Sequence, residues 1–177
     1  MGPPDDPTPD TKRLGAGMFL AMWVLVLILL TLVFDAWLSG ERNPNRNLSL
    51  VTGADGAREV TLQRNRYGHY VASGTINGEP VVFMLDTGAS DVSVPGPIAQ
   101  RLGLKRGPQL TYQTANGLAI GYATVLDRVA LGGIELRNVR ASINPQSSDD
   151  NILLGMTFLK HLDFAQRGDQ LTLRQPP

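Results

Sequence analysis

The sequence predicts an all-β domain with short helices, carried behind an apolar N-terminal helix. Three observations lead there. Two Asn-Gly pairs, Asn77-Gly78 and Asn116-Gly117, lie between strand-length runs, and both positions of such a pair accept the positive φ of a tight hairpin. From Glu59 onward, short apolar or alternating runs recur between Gly, Pro, Asn and Asp, the spacing of a barrel or sandwich. Ahead of them, residues 14–34 run for 21 positions without a charge.

The elements follow in order. Residues 1–13 are polar and proline-rich and are expected to be disordered. Residues 14–34 suffice to cross a hydrocarbon core of about 30 Å at about 1.5 Å per residue, and Trp37 sits where an interfacial aromatic would. A transmembrane anchor over 14–38 is therefore expected. A cleaved signal peptide would have a shorter apolar stretch and a small-residue cleavage site; a core helix would not be apolar all round. Lys12 and Arg13 flank one end, Arg42 and Arg46 the other. The adjacent pair on the short side favours a cytoplasmic N-terminus. Residues 39–58 read as a polar tether, and 59–177 as the folded domain.

Within that domain, residues 59–64 suggest an edge strand and residues 69–76 a second strand. Asn77-Gly78 turns the chain into the run Val81 to Leu85. Short helices are expected near 97–102 and 156–162. Residues 110–115 and 118–126 form a hairpin around Asn116-Gly117. Runs at 129–131, 134–139, 141–143 and 151–155 continue the series, and Arg167-Gly168-Asp169 is a turn between two last strands.

Composition removes several chemistries. The 16 basic and 16 acidic residues balance, so no basic stripe points to nucleic acid. With no cysteine there is no disulfide, thiolate metal site or thiol nucleophile. Two histidines, His69 and His161, leave little for a Ser-His-Asp triad, and no Gly-x-Ser-x-Gly is present. Asp149 and Asp150 lack the spaced oxygen ligands of a cation site and read as loop charges, so neither a metal nor a cofactor is expected.

The organising stretch is Val81-Val82-Phe83-Met84-Leu85 followed by Asp86-Thr87-Gly88-Ala89-Ser90. Five apolar residues make a strand buried on both faces, and it delivers a carboxylate into a turn. Asp-Thr-Gly by itself also fits a strand ending in an ordinary turn. A second apolar-Gly signal, Ile152-Leu153-Leu154-Gly155, lies downstream. Together, Leu85-Asp86-Thr87-Gly88-Ala89-Ser90 and Ile152-Leu153-Leu154-Gly155 resemble the active-site strand and second loop of retropepsin-like aspartic proteases. The approach from Gly68-His69-Tyr70 through Thr75-Ile76-Asn77-Gly78 resembles the membrane-anchored bacterial branch of that family. The likeness spans roughly residues 67–175.

The resemblance implies an acid-protease barrel with one lobe per chain. Asp86 becomes the catalytic carboxylate, supported by Thr87, Gly88, Ala89 and Ser90. Leu154 and Gly155 form the loop behind it, and Ala115, Asn116 and Gly117 form the tip of a flap over bound peptide. An ordinary surface hairpin would look the same at 110–126. Two carboxylates sharing a proton are needed for this hydrolysis, and the chain holds one Asp-Thr-Gly, so a homodimer is expected to supply the second. The expected partners are a peptide substrate, a second copy and, through residues 14–38, membrane lipid. The expected location is the inner membrane, with the domain on the periplasmic side. A non-catalytic peptide-binding module and a structural β-domain are the competing readings.

Overall fold

The computed structural model describes residues 11–53, 55–114 and 117–177. The chain forms two compact units, one ending at Gly40 and one spanning Glu41–Pro177. Of the expected disordered tail, residues 1–10 lie outside the described residues. The first unit is helical: α1 runs Thr11–Arg42. It is longer at both ends than the expected 14–38 segment, because Lys, Arg and Glu are good helix formers. It stops just before Asn43-Pro44, since proline disfavours helical geometry in the residue ahead of it. Its large apolar side chains from Met18 to Trp37 are exposed all round. The segment Gly17–Arg42, which holds an 18-residue window of mean hydropathy 2.7, is long and apolar enough to cross a membrane.

The second unit is mostly β. Its first sheet holds β1 (Val51–Thr52), β2 (Arg58–Gln63), β10 (Asp163–Arg167) and β11 (Gln170–Gln175), in the order β1-β2-β11-β10. The second holds β3 (Val71–Ile76), β4 (Glu79–Leu85), β5 (Val92–Pro95), β6 (Gln109–Thr114), β7 (Gly117–Leu131), β8 (Ile134–Asn144) and β9 (Ile152–Leu154). Its order is β3-β4-β9-β5-β8-β7-β6, and β3 also pairs with β7, so the sheet curls back on itself. Two short helices, α2 (Gly96–Arg101) and α3 (Met156–Leu159), lie where short helices were expected; α3 ends three residues sooner than 162.

Local chemistry explains the turns. β3 and β4 close on Ile76 and Glu79, with Asn77 at φ 53° and Gly78 at φ 90°. The turn then docks on β7: Arg128 N–H donates to Asn77 Oδ1 at 2.9 Å and Asn77 N–H to Arg128 O at 2.8 Å. The runs expected separately at 118–126 and 129–131 are one strand, β7, because exposed Asp127 and Arg128 interrupt the apolar pattern without ending the ladder. Likewise β8 joins 134–139 to 141–143. β2 is paired on both sides, by β11 along its length and by the two-residue β1.

Part of the stretch read as a tether is packed into this unit. Asn43 and Asn45 are buried. Asn45 Nδ2 donates to Gln63 O at 2.8 Å and Val71 O at 2.7 Å, and its Oδ1 accepts from Gln63 N–H at 2.7 Å. One amide thus rivets the end of β2, in the first sheet, to the start of β3, in the second. The core beneath the second sheet is Phe83, Val92, Val94, Ile143, Ile152, Leu154, Phe158 and Leu159, each at most 1% exposed.

Candidate active site

The parallel pairing of β4 with β9 builds the site. Leu85 lies opposite Leu154, so the next residues, Asp86 and Gly155, leave the sheet side by side. Both strands are anchored by fully buried side chains, Phe83 on one and Ile152 and Leu154 on the other. The carboxylate is therefore mounted on a rigid platform. Asp86 N–H donates to Leu154 O at 3.3 Å, and Ala89 N–H closes the turn onto Asp86 O at 3.2 Å. Gly88 N–H donates to Asp86 Oδ1 at 2.8 Å and fixes the carboxylate's orientation.

β9 holds the loop by close approach. Met156 N–H donates to Ala89 O at 2.9 Å. A Cβ on Gly155 would lie 2.2 Å from Asp91 O and 2.6 Å from Ala89 O, so only glycine fits. Asp86 itself is partly buried, while Thr87, Gly88 and Ser90 are exposed. Among the described residues, neither the Thr87 nor the Ser90 hydroxyl makes a hydrogen bond within the chain. Gly117 opens β7, whereas Ala115 and Asn116 lie outside the described residues. The structure thus brings together Asp86, Gly88, Ala89, Leu154 and Gly155, with Thr87 and Ser90 on the open side.

Sequence reasoning missed three polar residues behind the loop. Ser142 Oγ donates to Asp91 Oδ1 at 3.1 Å. Thr157 Oγ1 accepts from Val92 N–H at 3.1 Å and donates to Arg140 O at 2.8 Å, tying the loop's exit to β8. No local pattern marks these residues; each matters through a partner remote in sequence. Asp91 directly follows the Asp-Thr-Gly-Ala-Ser motif, between Ser90 and Val92.

Burial pushes the Asp91 carboxyl above its ordinary value of 3.8, against the lowering effects of the Ser142 hydroxyl, its own backbone and Arg140. A raised folded-state value means that the native state holds this proton more tightly than the unfolded chain. The contribution to stability is greatest at low pH and is lost as pH rises through the folded value. Asp91→Asn keeps an acceptor for Ser142 and removes the titration. The melting temperature of wild type relative to this variant should fall as pH rises above the ordinary carboxyl value of 3.8; parallel pH profiles would show that Asp91 carries no such linkage.

Among the described residues, a groove of about 860 Å³ runs from Ser90 and Asp91 past Lys105, Arg106 and Arg140 to Thr157. Asp86 is not part of its wall. The carboxylate is partly exposed, beside exposed Thr87 and Gly88.

Comparison with known proteins matches this architecture. Residues 72–161 fit the family described as "gag-polyprotein putative aspartyl protease". An uncharacterized Sinorhizobium protein, from the cobV 5' region, is 31% identical over 175 residues, covering 92% of this chain and 75% of that one. An uncharacterized protein of Rickettsia prowazekii is 30% identical over 148 residues, 80% of this chain and 63% of that one. The crystal structure of a retropepsin-like aspartic protease from Rickettsia conorii superposes with a TM-score of 0.58 at 32% identity, covering 73% of this chain and 96% of that one. The chain belongs to the retropepsin-like aspartic protease family.

Proposed function

We propose that this protein is a membrane-anchored aspartic endopeptidase, active as a homodimer with one Asp86 per subunit, of the bacterial membrane-anchored branch of the family. The observation that carries the reading is the mounting of Asp86. The only Asp-Thr-Gly of the sequence follows a strand buried on one face, through Val81 and Phe83, and not on both as its apolar run suggests; its carboxylate is oriented by Gly88 N–H, and Gly155 braces the loop from behind. Such rigidity suits a group that must hold one geometry through a reaction. Its exposed side suits a second subunit: a carboxylate pair sharing one proton needs a partner and a drier surrounding than one chain provides.

In the dimer, each chain folds as one barrel lobe and the two Asp86 carboxylates meet at the axis. The ionised one accepts a proton from water, and the protonated one donates to the scissile carbonyl oxygen. Thr87, its hydroxyl unengaged among the described residues, bonds across the axis, and Ser90 helps orient the pair. The β6–β7 hairpin, with Ala115, Asn116 and Gly117 at its tip, closes over a peptide bound as an added strand. The chain is read as a tail over 1–13, an anchor over 14–38, a linker over 39–58 that includes the packed Asn43 and Asn45, and the peptidase domain over 59–177. The anchor places that domain on the periplasmic side of the inner membrane and confines two copies to a plane, which raises their effective concentration.

The test is cleavage of a diverse peptide library by full-length protein in detergent. Wild type should cut it in a pepstatin-sensitive manner, and Asp86→Asn should lose about 10²–10⁴-fold or more in turnover. Retained cleavage by Asp86→Asn removes the assignment. The anchor has its own test. Alkaline carbonate should leave the full-length protein in the membrane pellet, and only detergent should release it; release by carbonate alone would overturn the membrane reading.

A further inference from the structure

We propose that the groove beside the Asp86 loop recognises an acidic side chain of the substrate, outside the two residues joined by the scissile bond, and that Lys105, Arg106 and Arg140 make the contact. The inference rests on the peptidase reading above and adds a class of substrate: peptides that carry a glutamate or aspartate at one fixed position relative to the cut. The groove, about 860 Å³, begins at Ser90 and Asp91, on the loop that Asp86 opens. Ligand sites commonly span about 300–1,000 Å³, so it has room for more than one residue of an extended peptide.

The fold sets each cation in place. Gly107 N–H donates to Ala123 O at 2.7 Å, and Ala123 N–H donates to Pro108 O at 2.9 Å. These two bonds clip the loop that carries Lys105 and Arg106 against one side of β7. On the other side, Arg140 lies opposite Val125 in the β7–β8 ladder, and residues paired in this way project from the same face of a sheet. Val125 is 54% exposed and gives the groove an apolar floor between the cations. Thr157 Oγ1 donates to Arg140 O and accepts from Val92 N–H, so the backbone of Arg140 is tied to the exit of the Asp86 loop.

The chain itself leaves these charges unneutralised. Lys105, Arg106 and Arg140 are exposed, and none of them has an ion-pair partner among the described residues. The Arg106 guanidinium lies over the Tyr122 ring, 5.2 Å from its centroid, an arrangement that leaves its N–H edges to a carboxylate. Two carboxylates also line the groove. Asp91 accepts from Ser142 Oγ, and burial favours its neutral form. Asp127 lies two residues beyond Val125 along β7, about 7 Å farther from the Asp86 loop. The groove is therefore cationic around Val125 and acidic only beyond it. A glutamate laid over Val125 packs its methylenes on the apolar floor and its carboxylate among the cations, whereas a lysine there meets three like charges.

The test uses full-length protein in detergent and a library peptide that wild type cuts, with each position flanking the cut made Glu, Gln or Lys in turn. At one position Glu should lower KM at least about tenfold relative to Gln. Lys at that position should raise it, and added salt should compress the difference. The double variant Lys105→Glu, Arg140→Glu should reverse the order and take the Lys peptide with the lower KM. Each comparison is a ratio of KM values on one sample, so a smaller folded or dimeric fraction does not alter it. A second arm measures, by anisotropy, the binding of fluorescein-labelled library peptides bearing one Glu, and of their Gln counterparts, to wild type. The groove assignment is overturned if neither KM nor binding distinguishes Glu from Gln at any position, or if the double variant keeps the wild-type order. The two arms also separate the two proposals. Tighter binding of the Glu peptides without any cleavage retains the groove and removes the peptidase. Cleavage that is blind to charge retains the peptidase and removes the groove.

Discussion

Adding Asp86→Asn chains to a fixed amount of wild-type protein is expected to lower the activity of the wild type already present. One carboxylate cannot be both proton donor and proton acceptor in the same encounter with water and a peptide carbonyl. The sequence offers one Asp-Thr-Gly, and the structure leaves its carboxylate partly open, flanked by exposed Thr87 and Gly88. A mixed dimer has a single carboxylate at the axis and should be inactive. With free exchange, an equal amount of variant leaves about half of the wild-type chains in wild-type dimers, and a threefold excess leaves about a quarter. Activity should track those fractions. Dilution of wild type alone should reduce specific activity for the same reason, as dimer falls apart into monomer. Raising the pH should also end turnover once the pair can no longer retain its shared proton. The measurement is initial rate against variant fraction at constant wild-type concentration in mixed micelles. A flat line would mean that each chain is catalytically complete, and the shared-carboxylate mechanism would have to be abandoned.

The features legible in the sequence were those written in local patterns. The turn at Asn77-Gly78 follows from which residues accept positive φ, and the strand before Asp86 follows from five consecutive apolar residues. The apolar run Ile152 to Leu154 ending in glycine announced a second buried strand, and the structure sets it beside the first. Helix α1 was legible from its lack of charge, though its ends were not, since the flanking polar residues are as helical as the apolar ones. Single polar residues could not be read this way. Asn45 sits in a polar stretch that looks like a linker, and its three hydrogen bonds to Gln63 and Val71 appear only once the two sheets meet. Asp91 and Thr157 are of the same kind. Their partners lie 51 and 65 positions away, Ser142 for one and Val92 for the other. The long continuous β7 was also hidden, because Asp127 and Arg128 look like a turn unless β8 and the β3–β4 turn are known to lie against them.

The second large effect is expected at Gly155, which touches no substrate in any reading of the site. A methyl group there would stand 2.2 Å from Asp91 O and 2.6 Å from Ala89 O, and would also crowd Asp91 C at 2.8 Å. These are main-chain atoms of the loop that carries Asp86, so no side chain can swing aside to make room. Either β9 or the loop must shift, and both are fixed by fully buried neighbours, Ile152 and Leu154 on one and Val92 on the other. Overpacking of this sort costs about 1–3 kcal/mol, sometimes more. For a domain of this size, that corresponds to a fall in melting temperature of roughly 3–10 °C. Activity should drop further than stability. Displacing Ala89 breaks the Met156 N–H bond to its carbonyl, and the turn that aims the Asp86 carboxylate moves with it. Gly155→Ala should therefore show little peptide turnover even at temperatures where it is fully folded. Gly40→Ala is the matched control: nothing lies within 4 Å of its added methyl, and it should melt and cut like wild type. If Gly155→Ala melts with the wild type and cleaves at the same rate, the close approach of β9 does not position the loop, and Asp86 must be held by the Gly88 bond and its own strand alone.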